Sequence, residues 1–405
     1  MKKVIILVIA LLLSGCWDRA ELEELAYVIA VGIDMGDHDE LIVTYQLARP
    51  GATAEGGNED EFSDIVSVAA PDLLSARDLA VAFVTRDIIF THSKALIISE
   101  EVARANKMMP YLSATVRDRQ LRRRMNVIIS KEKAEHFLQE NKPTLEIQPH
   151  RYYDELAERW EDTGFIPDST LHQLLSRTEE NAGLFLASYG SVDNSTNKKE
   201  GEEDKYFPGE IKKSGGNPTQ TIGSAVIKQG EMIGALNGEE TRFSLLLRPK
   251  IEVKQMIITF SDPIESEKHI TARLLNEQRT EVKVDVKGDK PVVNVMLPVQ
   301  LDIIGIPSHI NYVEDMEKQQ ILKEHIEAEI KEKTLNLIKK TQEEFRGEPF
   351  LWSSIVKRNF LTLQEYESFD WMASYPKAKI NVEVDVELKQ FGKHLNQMDI
   401  RKFKD

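Results

Sequence analysis

The sequence predicts an α+β protein, and two observations carry that expectation. Through about residue 140, short runs rich in Val, Ile and Leu alternate with helical patterns, which argues for a mixed α/β unit. From Val253 to Ile304 the strand-like runs follow one another directly and mostly alternate apolar with polar residues, as in an antiparallel sheet with one wet face. One long helical pattern then offers a cover for that sheet. The expected divisions are a leader (1–15), an N-terminal mixed α/β domain (16–140), a middle domain (141–250) and a C-terminal domain of antiparallel sheet plus long helix (251–405). A chain of 405 residues is long enough for two or three domains that each bury a core.

The leader comes first. Lys2 and Lys3 form a positive start, Val4 to Leu13 is unbroken apolar sequence, and Leu13-Ser14-Gly15-Cys16 is a small-residue cleavage site ending in the chain's one cysteine. The apolar run is too short to span a bilayer. The ending resembles the lipobox of bacterial lipoproteins, in which the Cys16 thiol accepts a diacylglyceryl group before cleavage and the new N-terminus is then acylated. Two chains suffice for stable anchoring, each buried CH₂ contributing about 0.8 kcal/mol. The other reading is an ordinary secretory signal followed by a buried free cysteine. Loss of Lys2 and Lys3 takes the charge from −15 to −17, a balance that disfavours nucleic acid and polybasic docking to lipid. With Cys16 lipidated, no thiol is left for a disulfide or a metal.

Trp17 suits either the headgroup level or its own domain. Ala26 to Ile33 and Leu41 to Leu47 read as a hairpin around the polar turn Asp34–Asp39, whose acids do not match a calcium loop. An acidic loop, Pro50 to Asp64, precedes a strand near Ile65–Val68, a helix over Pro71–Phe83, a strand at Lys94–Ile98, a helix near Glu101–Ala105 and a strand at Met125–Ile129. Arg117, Arg119, Arg122, Arg123 and Arg124 form the one basic cluster, expected on a helix and either paired with this chain's own acids or facing anionic lipid or an acidic partner. Lys131 to Gln139 should be helical, with Ser130 as candidate N-cap.

Glu140 to Gln148 reads as a linker, followed by helices at Tyr152–Trp160 and Ser169–Ser176. The polar stretch 190–220 offers little apolar surface against its ordering entropy and is expected to be mobile. Ile222–Ile227 and Met232–Leu236 form a hairpin around Gln229-Gly230. Asn237-Gly238 then reads as a tight turn with positive φ, leading into a helix that opens with Glu239-Glu240, where negative charge is favoured. Strands at His269–Leu275, Thr280–Val286 and Val292–Ile304 precede the long helix, about 314–345, with Leu322, Ile326, Ile330, Leu337 and Ile338 on one stripe. Lys379 to Gln390 is a closing strand.

No catalytic arrangement is legible. The chain has no G-x-S-x-G, H-E-x-x-H, P-loop or G-x-G-x-x-G motif, and His325 has no second histidine one turn on. It suits a salt-bridged surface position. The reading is of a non-enzyme without cofactor or metal.

A family resemblance enters on the residues Gly15-Cys16-Trp17-Asp18-Arg19, Glu23-Glu24-Leu25-Ala26 and Ala30-Val31-Gly32-Ile33-Asp34. Further matches follow in order: His92, the Arg117–Arg124 stretch, Gly223-Ser224-Ala225-Val226, Leu236-Asn237-Gly238-Glu239-Glu240-Thr241-Arg242, Gln342, Trp371 and a final strand closing at Gly392. Together they resemble the Ger(x)C spore germination lipoproteins over essentially the whole chain. One departure is Phe350-Leu351-Trp352, where family members tend to carry Phe-Gly.

The resemblance implies three mixed α/β domains and the C subunit of a nutrient germinant receptor. It would be lipid-anchored through Cys16 on the outer face of the inner spore membrane, beside A- and B-type integral-membrane subunits. Small-molecule binding is not expected in this subunit. The alternatives are a solute-binding lipoprotein of a transporter, which calls for two similar lobes around an aromatic-lined cleft, and a wall hydrolase with folded-together carboxylates.

Overall fold

The computed structural model describes residues 24–38, 40–49, 63–113, 121–143, 145–146, 148–180, 183–193, 204–288 and 290–391. Cys16, Trp17, Arg117, Arg119, most of the acidic loop and Gly392 lie outside them.

The hairpin is present as β1 (Leu25–Met35) and β2 (Leu41–Ala48), paired antiparallel, with β3 (Ser63–Ala70) antiparallel on the far side of β2. The helix Leu73–Val84 follows, and β4 (Asp87–Ile89) returns beside the start of β1. Next, β5 (Ala95–Ser99), β6 (Asn126–Ser130) and β7 (Phe185–Ser191) add in parallel. Their sequences ALIIS, NVIIS and FLASYGS are buried almost throughout. Continuous burial is what parallel strands covered on both faces require. A hairpin of β8 (Gln220–Lys228) and β9 (Glu231–Leu236) completes the sheet, turning at Gln229 (φ 50°) and Gly230 (φ 87°).

This sheet is nine-stranded among the described residues, in the order β3-β2-β1-β5-β6-β7-β8-β9 with β4 beside β1. The expected division at 140/141 therefore falls inside one sheet. The cause is the connection from β6 to β7, which holds the helices Pro149–Glu158 and Leu171–Glu180 and so has the length a parallel crossover needs.

The second sheet contains β10 (Gln255–Ser261), β11 (His269–Leu275), β12 (Glu281–Asp285), β13 (Val292–Gly305) and β14 (Lys379–Gln390). Along one edge β13 pairs with β12 and β11, both antiparallel; along the other it pairs with β14 in parallel. The closing strand thus departs from the antiparallel pattern, because the long helix Met316–Lys340 lies between β13 and β14 and returns the chain to the same end. Leu322, Ile326, Ile330, Leu337 and Ile338 are all buried, as the stripe requires. Two side-chain devices fix the helix ends. Asp315 caps the first turn through Lys318 N, and Gln342 Nε2 donates to Tyr375 O (3.0 Å) and Ala378 O (2.9 Å), which sets the start of β14.

Beyond Lys250 the chain builds a separate sheet but not a separate core. Leu184, Leu186, Val226, Leu236 and Phe243 share one apolar cluster with the strands of the second sheet and with the long helix. Trp352 sits there fully buried, its Nε1 donating to Leu247 O at 2.9 Å. Leu351 adopts φ 62°, a region that favours glycine.

Two local expectations are corrected. Ser130 is not an N-cap: it ends β6, its hydroxyl buried without a hydrogen-bond partner, because the helix starts only at Ala134. Residues 121–124 form a bend and turn before β6 rather than a helix, with Arg122, Arg123 and Arg124 exposed. Within the stretch expected to be mobile, residues 204–220 pack against the body. Gln220 Oε1 accepts from Gly209 N and Ile211 N, while Asn217 Nδ2 and Thr219 Oγ1 both donate to Asn141 Oδ1.

Candidate functional site

The six residues Asn237–Arg242 open the helix Gly238–Leu246, which is buried on nearly every side. Its start is a capping box. Asn237 Oδ1 accepts from Glu240 N, and Glu240 Oε2 accepts from Asn237 N, both at 2.9 Å. Asn237 has φ −73° and ψ −178°, and Gly238 is not among the positive-φ residues, so the tight turn expected here is an N-cap instead. Gly238 is required for another reason: a Cβ would stand 2.5 Å from Asp204 O and 2.9 Å from the Ile222 side chain. Glycine permits that close approach.

The following residues reach out to several other elements. Glu239 and Glu240 face the long helix, pairing with Lys333 (2.8 Å) and Lys340 (2.8 Å). Burial alone would lower the Lys333 ammonium, but the Glu239 and Glu329 carboxylates outweigh it and hold its pKa above the usual value. Thr241 Oγ1 lies 2.7 Å from Ser224 Oγ of β8. Arg242 reaches farthest. Its Nε donates to Thr163 O (2.8 Å), its Nη1 to Asp204 Oδ2 (2.6 Å) and to Ile257 O of β10 (2.9 Å), and its guanidinium lies 3.7 Å from the Phe165 ring centre.

The motif therefore joins the first sheet, the 204–206 segment, the second sheet and the long helix. Asp204 was not legible as Arg242's partner, since it is one of three consecutive acids, Glu202-Glu203-Asp204, in a polar stretch. The signal was indirect: an arginine leading the apolar run Phe243-Ser244-Leu245-Leu246 needs a buried anion or several carbonyls. Asp34 likewise belongs, by sequence, to a polar turn. It is 1 % exposed, and its Oδ1 and Oδ2 accept from Ala134 N (2.7 Å) and Glu135 N (2.9 Å) at the start of the helix Ala134–Glu140.

Between the Gly238 helix and the long helix runs an open groove of about 340 Å³. Glu239 reaches across it to Lys333, which Glu329 also holds from within the long helix. His325 Nε2 lies 2.8 Å from Ser261 Oγ, within hydrogen-bond distance, and 3.7 Å from Glu329 Oε2. Among the described residues no group of three or more His, Cys, Asp or Glu is placed to hold a metal ion, and no helix is long and apolar enough to cross a membrane. The arrangement offers fixed charge pairs and carbonyl contacts, the chemistry of a rigid joint.

Comparison with known proteins agrees with the architecture. Residues 18–191 match the family model described as spore germination protein N-terminal domain, and residues 222–392 match that described as spore germination B3/GerAC like, C-terminal. Similar proteins of Bacillus subtilis (strain 168) include spore germination protein YndF, 23% identical with 96% of each chain covered. Spore germination protein B3 is 19% identical over 94% of this chain and 95% of that one. The crystal structure of the GerBC protein covers 88% of this chain and 96% of its own at 14% identity, with a TM-score of 0.52, and so shares the fold. With both halves of the chain matched and the fold shared, the protein belongs to the Ger(x)C family of spore germination proteins.

Proposed function

We propose that this chain is the lipid-anchored C subunit of a nutrient germinant receptor, attached through a diacylglyceryl and N-acylated Cys16 to the outer face of the inner spore membrane. There it assembles with A- and B-type integral-membrane subunits and is required for passing the nutrient signal. The observation that carries the reading is the conjunction, in one chain, of the Leu13-Ser14-Gly15-Cys16 sequence with family matches running from residue 18 to residue 392. Its signature motif supports a binding and coupling role rather than catalysis, because Asn237 to Arg242 spend their polar groups on this chain's own backbone and charges. Two similar lobes, which a solute-binding lipoprotein would present, contrast with a nine-stranded mixed sheet and a five-stranded sheet.

The test is capture of the tagged full chain from detergent-solubilised spore membranes, followed by mass spectrometry. Co-purification of two multi-span subunits supports the proposal. Recovery with a transporter ATPase and permease instead would overturn it.

A further inference from the structure

The last turn of the helix Leu73–Val84 packs on the body through Ala80 and Val84 and leaves its other side open. Its buried contacts come from Leu73, Ala76 and Ala80, whereas Val81, Ala82 and Phe83 are consecutive and all exposed. Successive residues lie about 100° apart around a helix, so three in a row leave more than half of its circumference uncovered. Leu79, one turn before Phe83 on the same face, is 50 % exposed and Phe83 53 %. The helix stops at Thr85 (φ 58°), and exposed Arg86 leads into β4.

The knob lies near the place where the chain arrives from Cys16. Asp87 of β4 is the lateral partner of Leu25, the first residue of β1. Neighbouring strands are about 4.8 Å apart, and four residues span at most about 15 Å, so Phe83 lies within about 20 Å of Leu25. Eight residues separate Leu25 from Cys16, nine Cα-to-Cα steps with a reach of about 30 Å.

We propose that Leu79, Val81, Ala82 and Phe83 form a membrane-contact knob that enters the bilayer interface beside the lipid anchor and sets the orientation of the protein on the membrane. This rests on the reading of Cys16 as lipidated. Size argues against a protein occupant, since a stable protein interface takes about 20–30 residues a side and this patch has four. Charge argues for an apolar contact, because a chain of net −15 is repelled by anionic headgroups and gains by burying aromatic and aliphatic side chains instead. An acyl anchor alone lets the body swivel. A second contact within tether reach removes that freedom.

The test uses the mature chain from residue 17, bearing a hexahistidine tag at its N-terminus and held on phosphatidylcholine and phosphatidylglycerol vesicles by a nickel-chelating lipid. Cys16, the one native cysteine, is then absent, so Phe83→Cys carries a single environment-sensitive fluorophore. Val81→Cys is the second site, and Leu361→Cys, at a residue 96 % exposed, is the control. The expected result is a blue shift at 83 and 81, and quenching by headgroup-region spin-labelled lipid at least about twofold stronger than at 361. Equal or absent quenching at both test sites overturns the knob. A blue shift that needs no vesicles and grows with protein concentration also overturns it, assigning the face to a second copy. Because the tag replaces the lipid, these outcomes are separate from acylation, which mass spectrometry of the native chain reads at Cys16.

Discussion

Arg242 and Asp204 meet at 2.6 Å with side chains only 6 % and 9 % exposed, and the same guanidinium donates to Ile257 O of the second sheet. The pair is the most buried of the ion pairs made by the motif. Removing one member of a buried ion pair leaves the other uncompensated, at a cost of about 3–5 kcal/mol. Arg242→Ala should lose stability of that order in chemical denaturation. Arg242→Lys should lose less but still measurably, since an ammonium cannot reproduce the fork to Thr163 O, Asp204 and Ile257 O. A loss under about 1 kcal/mol for the alanine variant would contradict the joint.

Gly238 gives a steric test of the same place. A valine there must displace Asp204 O and the Ile222 side chain, and overpacking of this kind costs about 1–3 kcal/mol. Gly238→Val should lower Tm; an unchanged Tm would show that the 204–206 segment yields freely.

Asp34 acts on a helix a hundred residues away in sequence. Burial pushes its carboxyl pKa up, and the amides of Glu135 and Ala134 pull against that shift. Asp34→Ala should cost about 1–2 kcal/mol, the worth of a lost N-cap, and Asp34→Asn less because one acceptor remains. Hydrogen exchange at Ala134 and Glu135 N–H should rise in step, and exchange unaltered there would remove Asp34 from its capping role.

A pH dependence follows at His136, whose Nε2 lies 3.1 Å from Asp193 Oδ1. The hydrogen bond to that carboxylate raises the imidazole pKa, against a smaller opposing effect of burial. A raised folded value means that the contribution is fully present below the unfolded value of about 6.5 and is lost as pH rises through the folded one. Both side chains are well exposed, 43 % and 66 %, so the effect is small and screened by salt. The Tm difference between wild type and His136→Gln should be largest near about pH 6 and close by about pH 8. A difference that widens with rising pH would reverse the sign.

These tests divide along the line between what was and was not legible in the chain. Periodic elements were legible. The closing strand has the expected limits, Lys379–Gln390, and Leu322 to Ile338 bury the stripe their spacing defines. What escaped were pairings between distant segments, which no local pattern encodes. Asp34 looks like a turn acid until Ala134 is placed above it, and Gly238 looks like a positive-φ glycine until Asp204 O is seen to crowd it. The division at 140/141 failed to mark a break in the sheet for the same reason, since whether β7 adds to β6 depends on a crossover rather than on composition.

The anchoring claim is tested most directly by nutrient-triggered germination of spores carrying Cys16→Ala, compared with germination by an agent acting downstream of receptors. Two acyl chains raise the effective concentration of this chain beside its membrane partners without adding a contact to its body. The variant should lose lipid labelling, leave the membrane and germinate poorly on nutrients while responding normally to the downstream agent. Normal nutrient germination by a chain shown to be unlipidated would contradict the account, and an equal defect with both triggers would place the function after the receptor.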